Sequence, residues 1–399
     1  MLYRLKAWPK AAEEFLKEWD NHEIQLFTFQ TSGTTGPSKC ITLSRRQIIA
    51  AASCSESQLG WQEGQRIGMA LNAAGIGGKM SIVRSRYYNI EIIPLELRLN
   101  DDYKSSGSFA SEAWTEYLDH LSLVPVQALT LLRYWAKHKV DPSTRLGTLL
   151  LGGGPLPADL EQFLRKDWPW NELRSQTTFR IFQGLGMTET AGHFALRNLF
   201  PVFETAYTVL PGIDCRLAPV HDESPTDKDE SPTDRGELII TGPVTNHQPL
   251  TTREIVRMGP QPSQIEWLGR ADLVIQSGGH TLLIDEIEEH MRAALHEASG
   301  LLSLGSWNFM AQTNWYLAPL ADPIWGERVA LCIPIETYEI LAKSSELASL
   351  KPADWSPFLP PSSWPRAIAP VPQNCFNQAG KIIRLSPPLP NLAEPFTLG

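Results

Sequence analysis

A segment of nine small or polar residues, 31–39, most constrains what this chain can fold into. It reads Thr-Ser-Gly-Thr-Thr-Gly-Pro-Ser-Lys and lies between two strand-like runs, residues 23–30 and 40–43. Its two glycines let the backbone turn several N–H groups toward one anion, and its hydroxyls and Lys39 add further donors. It is not a Walker A loop, because a strand rather than a helix follows Lys39. The segment predicts a phosphate-binding loop, with a polar hairpin turn as the alternative.

Strand-like runs that end in glycine or threonine recur along the chain, with helical patterns between them. Ser44 and Gln47 have the spacing of a helix capping box, and Gly60 ends that helical pattern. Strands that alternate with helices predict an α/β protein, in which ligands bind at the carboxyl ends of the strands. The other patterns predict helices at 11–19 and 287–295 and strands at 149–151, 180–183, 236–240 and 329–333.

Composition changes in the last third of the chain, and we place a domain boundary at residues 270–272. This divides the chain into 1–269 and 270–399, and the second part has about 130 residues, a normal domain size. Residues 222–234 are a charged near-duplicate and predict a solvated loop, since they lack the spacing of a calcium-binding loop. Residues 345–372 are rich in Pro, Ser and Trp and also predict a loop.

The composition and net charge of the chain argue against several classes of protein. The 399 residues are 42% apolar and 20% charged, which is a globular balance. The net charge of −9 repels phosphate backbones on average and argues against a nucleic-acid binder. The five cysteines are scattered without a C-x-x-C pair, which argues against a zinc or disulfide framework and favours a reducing compartment. No apolar run is long enough to span a bilayer and the start lacks a signal-peptide core, so we expect a cytoplasmic protein without a membrane span.

Ordered segments along nearly the whole chain resemble one family. The loop at 31–39 is similar to the phosphate-binding loop of the adenylate-forming superfamily, which includes acyl-CoA synthetases, peptide-synthetase adenylation domains and luciferases. Further matches follow in the family's order: Gly152-Gly-Gly-Pro-Leu156, Gly184-Leu-Gly-Met-Thr-Glu-Thr190, Gly236-Glu-Leu238, Leu268-Gly-Arg-Ala-Asp272, Ser277-Gly-Gly279 with Glu286-Ile-Glu288, Trp325-Gly-Glu-Arg-Val329 and Gly380-Lys-Ile-Ile-Arg384. The resemblance implies a large N-terminal adenylate-forming domain with layered sheets and helices, and a small mobile α+β C-terminal domain.

The resemblance also implies an enzyme, an AMP-forming acid–thiol ligase that uses ATP, Mg²⁺ and CoA. Lys381 would neutralise the charge that develops on the α-phosphate. Thr188 and Glu189 would meet that phosphate, with Glu189 as a metal ligand. Asp272 would be the hinge, and Ser277, Gly278 and Gly279 would line the path of CoA. The implied nucleotide-binding residues are Thr31, Ser32, Gly33, Thr34, Thr35, Gly36, Lys39, Gly152, Gly153, Gly154, Pro155, Gly184, Leu185, Gly186, Met187, Glu254 and Arg270.

The chain departs from the family pattern at several positions. Leu185 stands where an aromatic residue usually stacks on adenine, and Glu254 replaces the usual aspartate. Gln276 stands where many members have lysine, and the segment that most members carry before the phosphate loop is missing. These departures motivate an alternative, a catalytically degenerate ATP-binding relative. Intact Lys39, Glu189, Arg270 and Lys381 favour an enzyme.

Two segments, 77–84 and 187–197, resemble the short o-succinylbenzoate–CoA ligases of menaquinone biosynthesis. They contain Lys79, Arg84, His193 and Arg197, which suit a small aromatic dicarboxylic acid as substrate. For each, the alternative is an ordinary surface or core polar residue. His193 follows Glu189 by four residues, one helical turn if that stretch is helical. A CoA ligase for another aromatic or fatty acid is the alternative function, and a homodimer is left open.

Overall fold

The structure of the protein is a computed structural model. It describes residues 2–5, 7–30, 39–97, 112–113, 115–154, 156–173, 177–218, 235–261, 263–277, 280–298, 305–323, 326–344, 346–376, 382, 384–385, 387 and 393–398.

Strands predominate in the described residues, and helices connect many of them. The strands are β1 (Leu2–Arg4), β2 (Leu26–Gln30), β3 (Cys40–Ser44), β4 (Arg66–Met69), β5 (Glu91–Leu97), β6 (Glu112–Ala113), β7 (Leu118–Leu123), β8 (Leu146–Leu151), β9 (Arg180–Met187), β10 (Gly192–Phe200), β11 (Tyr207–Val209), β12 (Asp214–Ala218), β13 (Arg235–Thr241), β14 (Leu250–Met258), β15 (Gln264–Arg270), β16 (Val274–Ser277), β17 (His280–Leu283), β18 (Tyr316–Asp322), β19 (Gly326–Pro334), β20 (Ala367–Val371) and β21 (Phe396–Thr397). The helices are α1 (Lys10–Asp20), α2 (Arg45–Ser53), α3 (Glu56–Leu59), α4 (Ile76–Tyr88), α5 (Pro125–Lys137), α6 (Ala158–Gln162), α7 (Ile284–Ala298) and α8 (Ile335–Lys343). In the described ranges, none of these helices is long and apolar enough to cross a bilayer.

The predicted start of α2 is confirmed in detail. The N–H of Gln47 donates to the Ser44 hydroxyl, and the N–H of Ser44 donates back to Gln47 Oε1. This exchange satisfies two N–H groups that the first helical turn cannot pair internally. β2 and β3 form the predicted antiparallel pair on either side of residues 31–39, with Gln30 opposite Cys40. Gly60 ends α3 with a left-handed φ of 67°.

The largest sheet in the described residues has thirteen strands and a parallel centre. Its order is β12-β13-β14-β15-β11-β10-β9-β8-β7-β4-β5-β1-β6. β5, β4, β7, β8 and β9 run parallel to one another. β1 pairs antiparallel with β5 and β6, and the strands from β9 through β12 also pair antiparallel. The parallel strands are buried and connected through helices such as α4 and α5, as parallel sheets require. The predicted mixed α/β architecture is confirmed.

A second sheet is built only from strands that follow residue 273. β16, β17, β19, β20 and β21 form its main path, and β18 pairs with β19. One side packs on α7 and α8 around a core that contains Trp307, Trp355, Met291 and Ile287. The predicted helix at 287–295 is therefore confirmed within α7, and its apolar residues face this core.

The expectation of a loop at 345–372 is wrong. Residues 345–372 are not a plain loop, because they contain short 3-10 turns and the fully buried strand β20. Pro370 lies opposite Ile333 of β19 and beyond the two residues, Ala367 and Ile368, that pair with β21. The stretch from Glu189 to His193 is a 3-10 turn followed by β10, so the condition that would place His193 one helical turn after Glu189 is not met. The predicted solvated loop at 222–234 lies outside the described residues.

Candidate active site

The carboxyl ends of β8 and β9 bring two predicted glycine segments together. The strands are parallel, with Leu151 paired to Gln183, so the loop at 152–154 lies beside the second half of β9. Gln183 is buried, and its Nε2 donates to the carbonyl of Gly154 at 3.3 Å. Its Oε1 accepts from Arg197 Nε at 2.9 Å and Nη2 at 2.7 Å. One buried amide therefore joins the glycine loop to an arginine on β10.

Sequence reasoning assigns Gln183 only to a strand and misses this role. The available signal is its position, since it is a polar residue at the carboxyl end of a buried parallel strand. Ligands of such sheets bind beyond that end, and polar residues there either contact them or hold the residues that do. The partners of Gln183 lie 29 and 14 residues away in sequence, which no local pattern indicates.

Two glycines in the predicted Gly184–Met187 segment are required by close packing of β9 on β10. A Cβ on Gly186 would lie 2.2 Å from the carbonyl oxygen of Gly192 and 2.3 Å from the Cα of His193. A Cβ on Gly184 would lie 2.9 Å from the Cβ of His193. The glycines therefore allow the His193 side chain to lie across β9. Leu185, between them, is half-buried against the apolar core.

A tight 3-10 turn, Thr188–Thr190, follows β9. The buried Thr190 hydroxyl oxygen accepts from the N–H of Met187 at 3.3 Å and lies 2.6 Å from the carbonyl oxygen of Gly192. Ala191 has a left-handed φ of 53°, which ends the turn and starts β10. The Thr190 side chain therefore fixes the geometry of the turn from inside.

Thr188 and Glu189 lie half-buried on this turn. The turn packs against β3, whose first residue follows the exposed Lys39. In the part of the chain that the structure describes, no three His, Cys, Asp or Glu side chains cluster as a metal site. Glu189 fits Mg²⁺ without such a cluster, because Mg²⁺ commonly takes one or two protein carboxylates together with substrate phosphates.

Glu254 and Arg270, which the family resemblance assigns to the ribose hydroxyls of ATP, form one network with the predicted hinge residue. Glu254 of β14 lies opposite Arg270 of β15, and Arg270 Nη1 is 2.8 Å from Glu254 Oε1. Trp267 Nε1 donates to Glu254 Oε2 at 2.6 Å. Arg270 also donates from Nε and Nη2 to the two oxygens of Asp272, each at 2.9 Å. Arg270 therefore holds two carboxylates in fixed positions, as a planar guanidinium can.

Burial and charge act in opposite directions in this network. Burial raises the pKa of Glu254, and Arg270 and the Trp267 hydrogen bond oppose that rise. Burial lowers the pKa of Arg270, but the hydrogen bonds to Asp272 and the charge of Glu254 outweigh it and raise the pKa overall. Arg270 therefore stays charged.

Arg84 and His193 lie together beneath the β9–β10 pair. Arg84 on α4 is 3% exposed, and its Nη2 is 3.5 Å from His193 Nε2. Its guanidinium carbon lies 5.4 Å from the ring centre of Trp61, and its Nε has no hydrogen-bond partner. Burial lowers the pKa of Arg84 to about 10, and burial together with Arg84 lowers the pKa of His193 well below its usual range. Among the residues that the structure describes, no carboxylate pairs with this buried cation, and the groups that raise its pKa are Cys54 and Tyr88.

Lys79 lies on α4, as Arg84 does, but has different surroundings. Its Nζ is 5.1 Å from the ring centre of Phe15 and 4.9 Å from that of Phe29. Burial lowers its pKa, and Glu18 opposes that shift. The Lys79 ammonium group therefore packs on the aromatic cluster between α1 and β2, away from the Arg84–His193 pair.

Arg197 belongs to a polar row that crosses neighbouring strands. Besides Gln183, its guanidinium contacts the ring of Tyr207 on β11 at 4.7 Å from the centre. Burial raises the pKa of Tyr207, Arg197 lowers it, and Glu254 is among the charges that raise it. The row therefore runs from the glycine loop through Gln183, Arg197 and Tyr207 toward Glu254 and Arg270.

Part of the predicted site lies outside the described residues. Ser277 is described, buried, and paired with Gly326 at the end of β16. The predicted site residues that are not described are Thr31, Ser32, Gly33, Thr34, Thr35, Gly36, Pro155, Gly278, Gly279 and Lys381.

A family model described as "AMP-binding enzyme" matches residues 5–247. The chain belongs to the AMP-binding enzyme family. A 2-succinylbenzoate–CoA ligase of Bacillus pumilus is 27% identical over 221 residues, which cover 54% of this chain and 41% of the relative. A 2-succinylbenzoate–CoA ligase of Bacillus mycoides is 26% identical over 336 residues, which cover 78% of this chain and 62% of the relative.

Solved structures of AMP-forming enzymes share the fold. An acyl-CoA synthetase (AMP-forming)/AMP-acid ligase II-like protein from Dyadobacter fermentans is 26% identical, with a TM-score of 0.50 and 94% of each chain covered. The o-succinylbenzoate–CoA synthetase of Bacillus subtilis, solved with its acyl-adenylate intermediate, is 19% identical with a TM-score of 0.62. That match covers 90% of this chain and 67% of the other. The chain spans from 41% to 62% of the length of the two curated relatives named above.

Proposed function

We propose that the protein is an ATP- and Mg²⁺-dependent acid–CoA ligase that works through an acyl-AMP intermediate. The observation that carries the proposal is the polar row across β9, β10, β11, β14 and β15. Gln183 joins the glycine loop at 152–154 to Arg197, which contacts Tyr207 on β11, and the Glu254–Arg270 pair lies on the next two strands of the same sheet. Such a row suits a nucleotide, with its base at the loop and its ribose hydroxyls at a carboxylate and a guanidinium, and membership in the AMP-binding enzyme family supports it.

The chemistry would proceed in two balanced steps. In the first, a carboxylate oxygen of the acid attacks the α-phosphorus of ATP, and pyrophosphate leaves. The turn with Thr188 and Glu189 would meet the phosphate and Mg²⁺, and Lys381 would neutralise developing charge. In the second, the sulfur of CoA loses its thiol proton to solvent and attacks the acyl carbon, and AMP leaves with the electron pair of the broken C–O bond.

We further propose that the acid carries a second anionic group, as o-succinylbenzoate does. Arg84 supports a second anionic group on the acid. The desolvation of a buried cation costs roughly several kcal/mol unless a partner of opposite charge neutralises it. An anionic group of the substrate would supply that partner and would accept the bond that Arg84 Nε lacks. A role in menaquinone biosynthesis in the cytoplasm would follow from that substrate.

A two-domain arrangement belongs to the same proposal. Residues 1–269 would bind ATP and the acid, and residues 270–399 would form a lid that turns about Asp272. The lid would bring Lys381 to the first step and residues 277–279 to the second. The separate core around Trp307 and Trp355 supports an independently packed unit.

Pyrophosphate release measured against a panel of acids tests the function and the substrate class. We expect release with o-succinylbenzoate, and much less with a matched acid that lacks the ring carboxylate. Arg84→Met should lower kcat/KM for o-succinylbenzoate about tenfold or more, and it should not lower it for the matched acid. The exposed Arg86 on the same helix provides the control variant Arg86→Met. Equal use of both acids by the wild type would refute the dicarboxylate, and strong use of a fatty acid instead would favour the alternative ligase.

A degenerate ATP-binding relative is the second candidate. Leu185 and the full engagement of Glu254 by Arg270 and Trp267 favour it, since these contacts occupy both carboxylate oxygens. ATP binding by calorimetry without AMP production from any acid of the panel would establish this candidate over the ligase.

A further inference from the structure

Asp285, in the first turn of α7, connects two parts of the chain with its two carboxylate oxygens. Its Oδ2 accepts from the backbone N–H of Arg270 at 3.2 Å. Its Oδ1 is 3.4 Å from Nη2 of Arg384. Arg270 is half of the proposed ribose pair, and Arg384 lies three residues after Lys381 in sequence. A single side chain therefore contacts both sides of the proposed hinge.

Arg384 is held firmly on its own side of that hinge. Glu288, one turn after Asp285 on α7, binds it through Nη1 and Nη2, and the latter bond is 2.9 Å. The carbonyl of Leu317 on β18 accepts a third bond at 3.1 Å. Burial lowers the pKa of Arg384, but the Glu288 charge and hydrogen bonds outweigh it and raise the pKa overall. Arg384, Glu288 and α7 would therefore move as one body.

The backbone of β15 is shaped to admit the Asp285 carboxylate. Gly269 has a φ of 143°, and a Cβ there would lie 3.1 Å from Asp285 Oδ2 and 3.2 Å from its Cβ. A side chain at 269 would therefore push the carboxylate away from Arg270. The bond between Asp285 and the Arg270 N–H therefore needs the space that Gly269 leaves. A role of Asp285 in capping α7 would not need that space.

We propose that Asp285 is a latch, a positioning residue that holds the residues after Asp272 in the orientation seen here. Its bond to the Arg270 N–H crosses the hinge, whereas its bond to Arg384 lies within the moving part. Rotation about Asp272 breaks the first bond and keeps the second. The latch therefore favours one of the two half-reactions and is released for the other. This inference rests on the proposed function for its two half-reactions, but not for the contact itself.

The test compares Asp285→Ala with Glu286→Ala, an exposed acid in the same helical turn. Acyl-AMP formation is measured as acid-dependent pyrophosphate release without CoA, and thioester formation is measured from supplied acyl-adenylate. Amide hydrogen exchange at Arg270 is measured in parallel, because it needs no activity. A charge-assisted bond is among the stronger hydrogen bonds of a protein, so its loss should change the ratio of the two half-reaction rates about tenfold or more. Glu286→Ala should leave both the ratio and the exchange rate unchanged.

Asp285→Asn separates the two parts of the latch. It keeps an oxygen for the Arg270 N–H but removes the charge that faces Arg384. We expect slower exchange at Arg270 than in Asp285→Ala and an intermediate ratio of the half-reactions. The latch is refuted if Asp285→Ala folds normally and both half-reactions change by the same factor. It is equally refuted if Arg270 exchange does not accelerate. If the wild type forms no acyl-AMP, the proposed function fails, and the exchange measurement alone decides whether Asp285 holds Arg270.

Discussion

Glu254 and Arg270 face each other across β14 and β15, with 2.8 Å between Oε1 and Nη1. The same guanidinium binds Asp272, so the residues proposed to bind ribose also fix the proposed hinge. A change at Arg270 should therefore affect nucleotide binding and lid motion together.

Arg270→Lys should weaken ATP binding about tenfold. A lysine ammonium lacks the planar fork that holds Glu254 and Asp272 at once, so one carboxylate would lose its charge-assisted bond. Titration calorimetry with ATP and Mg²⁺ measures the change. Arg257→Lys, in a more exposed ion pair with Glu266 on the same two strands, is the control and should bind ATP as the wild type does. Unchanged affinity in Arg270→Lys would remove Arg270 from the nucleotide site.

Gln183→Leu should raise the KM for ATP and destabilise the fold. The substitution keeps the volume, but leaves Arg197 and the Gly154 carbonyl without a buried partner, at a cost of about 1–3 kcal/mol. Urea unfolding gives the stability, and pyrophosphate release gives the KM. Gln65→Leu removes another amide, one that bonds His120 and Gly60 away from this row. A KM rise of equal size in that control would mean that Gln183 acts only through stability.

Arg84→Met should stabilise the free protein while it impairs use of a dicarboxylic acid. Arg84 is a buried cation with no carboxylate partner among the described residues, so an apolar side chain in its place removes a desolvation cost of roughly several kcal/mol. Chemical denaturation without substrate measures this gain. The exposed control Arg86→Met loses a surface ion pair with Asp20, which is worth about 1 kcal/mol at most. A loss of stability in Arg84→Met would argue that Arg84 has a purely structural function.

Asp285 should give the protein a specific pH dependence of stability. Burial raises the pKa of Asp285 to about 6 from its ordinary 3.8, although Arg384 opposes the rise. Between pH 3.8 and about 6, Asp285 holds its proton more tightly in the folded state than in the unfolded state. The contribution of Asp285 to the free energy of unfolding therefore falls as pH rises through this range. The free energy of unfolding of the wild type relative to Asp285→Asn should therefore be lower at pH 7 than at pH 4.5. A difference that does not change with pH would show that Asp285 does not titrate in this range.

Local patterns in the sequence predicted local structure well. The Ser44–Gln47 capping box, the β2–β3 pair and the helix around Met291 depend on residues a few positions apart or on one apolar face. The conformation after β9 could not be predicted from a local pattern. Ala191 has a left-handed φ and Gly192 a φ of 112°, and these two residues prevent a helix from reaching His193. β20 was missed because the Pro-, Ser- and Trp-rich composition of residues 345–372 suggested a loop, whereas parallel pairing with β19 and burial determine the conformation of the strand.

Contacts between distant residues could not be predicted in the same way. Gln183 meets Gly154 and Arg197 only because parallel and antiparallel pairing bring three strands side by side. Asp285 meets Arg384 across 99 residues of sequence. The resemblance identified Glu254 and Arg270 as a pair, but the shared bond to Asp272 and the Asp285 contact required the folded chain.

The most direct test is mass spectrometry of the products from ATP, Mg²⁺ and o-succinylbenzoate without CoA. The account predicts acyl-AMP and pyrophosphate from the wild type. It predicts neither from Lys381→Ala, although that variant should still form the thioester from supplied acyl-adenylate. ADP and phosphate as products, or acyl-AMP formation at the wild-type rate by Lys381→Ala, would contradict it.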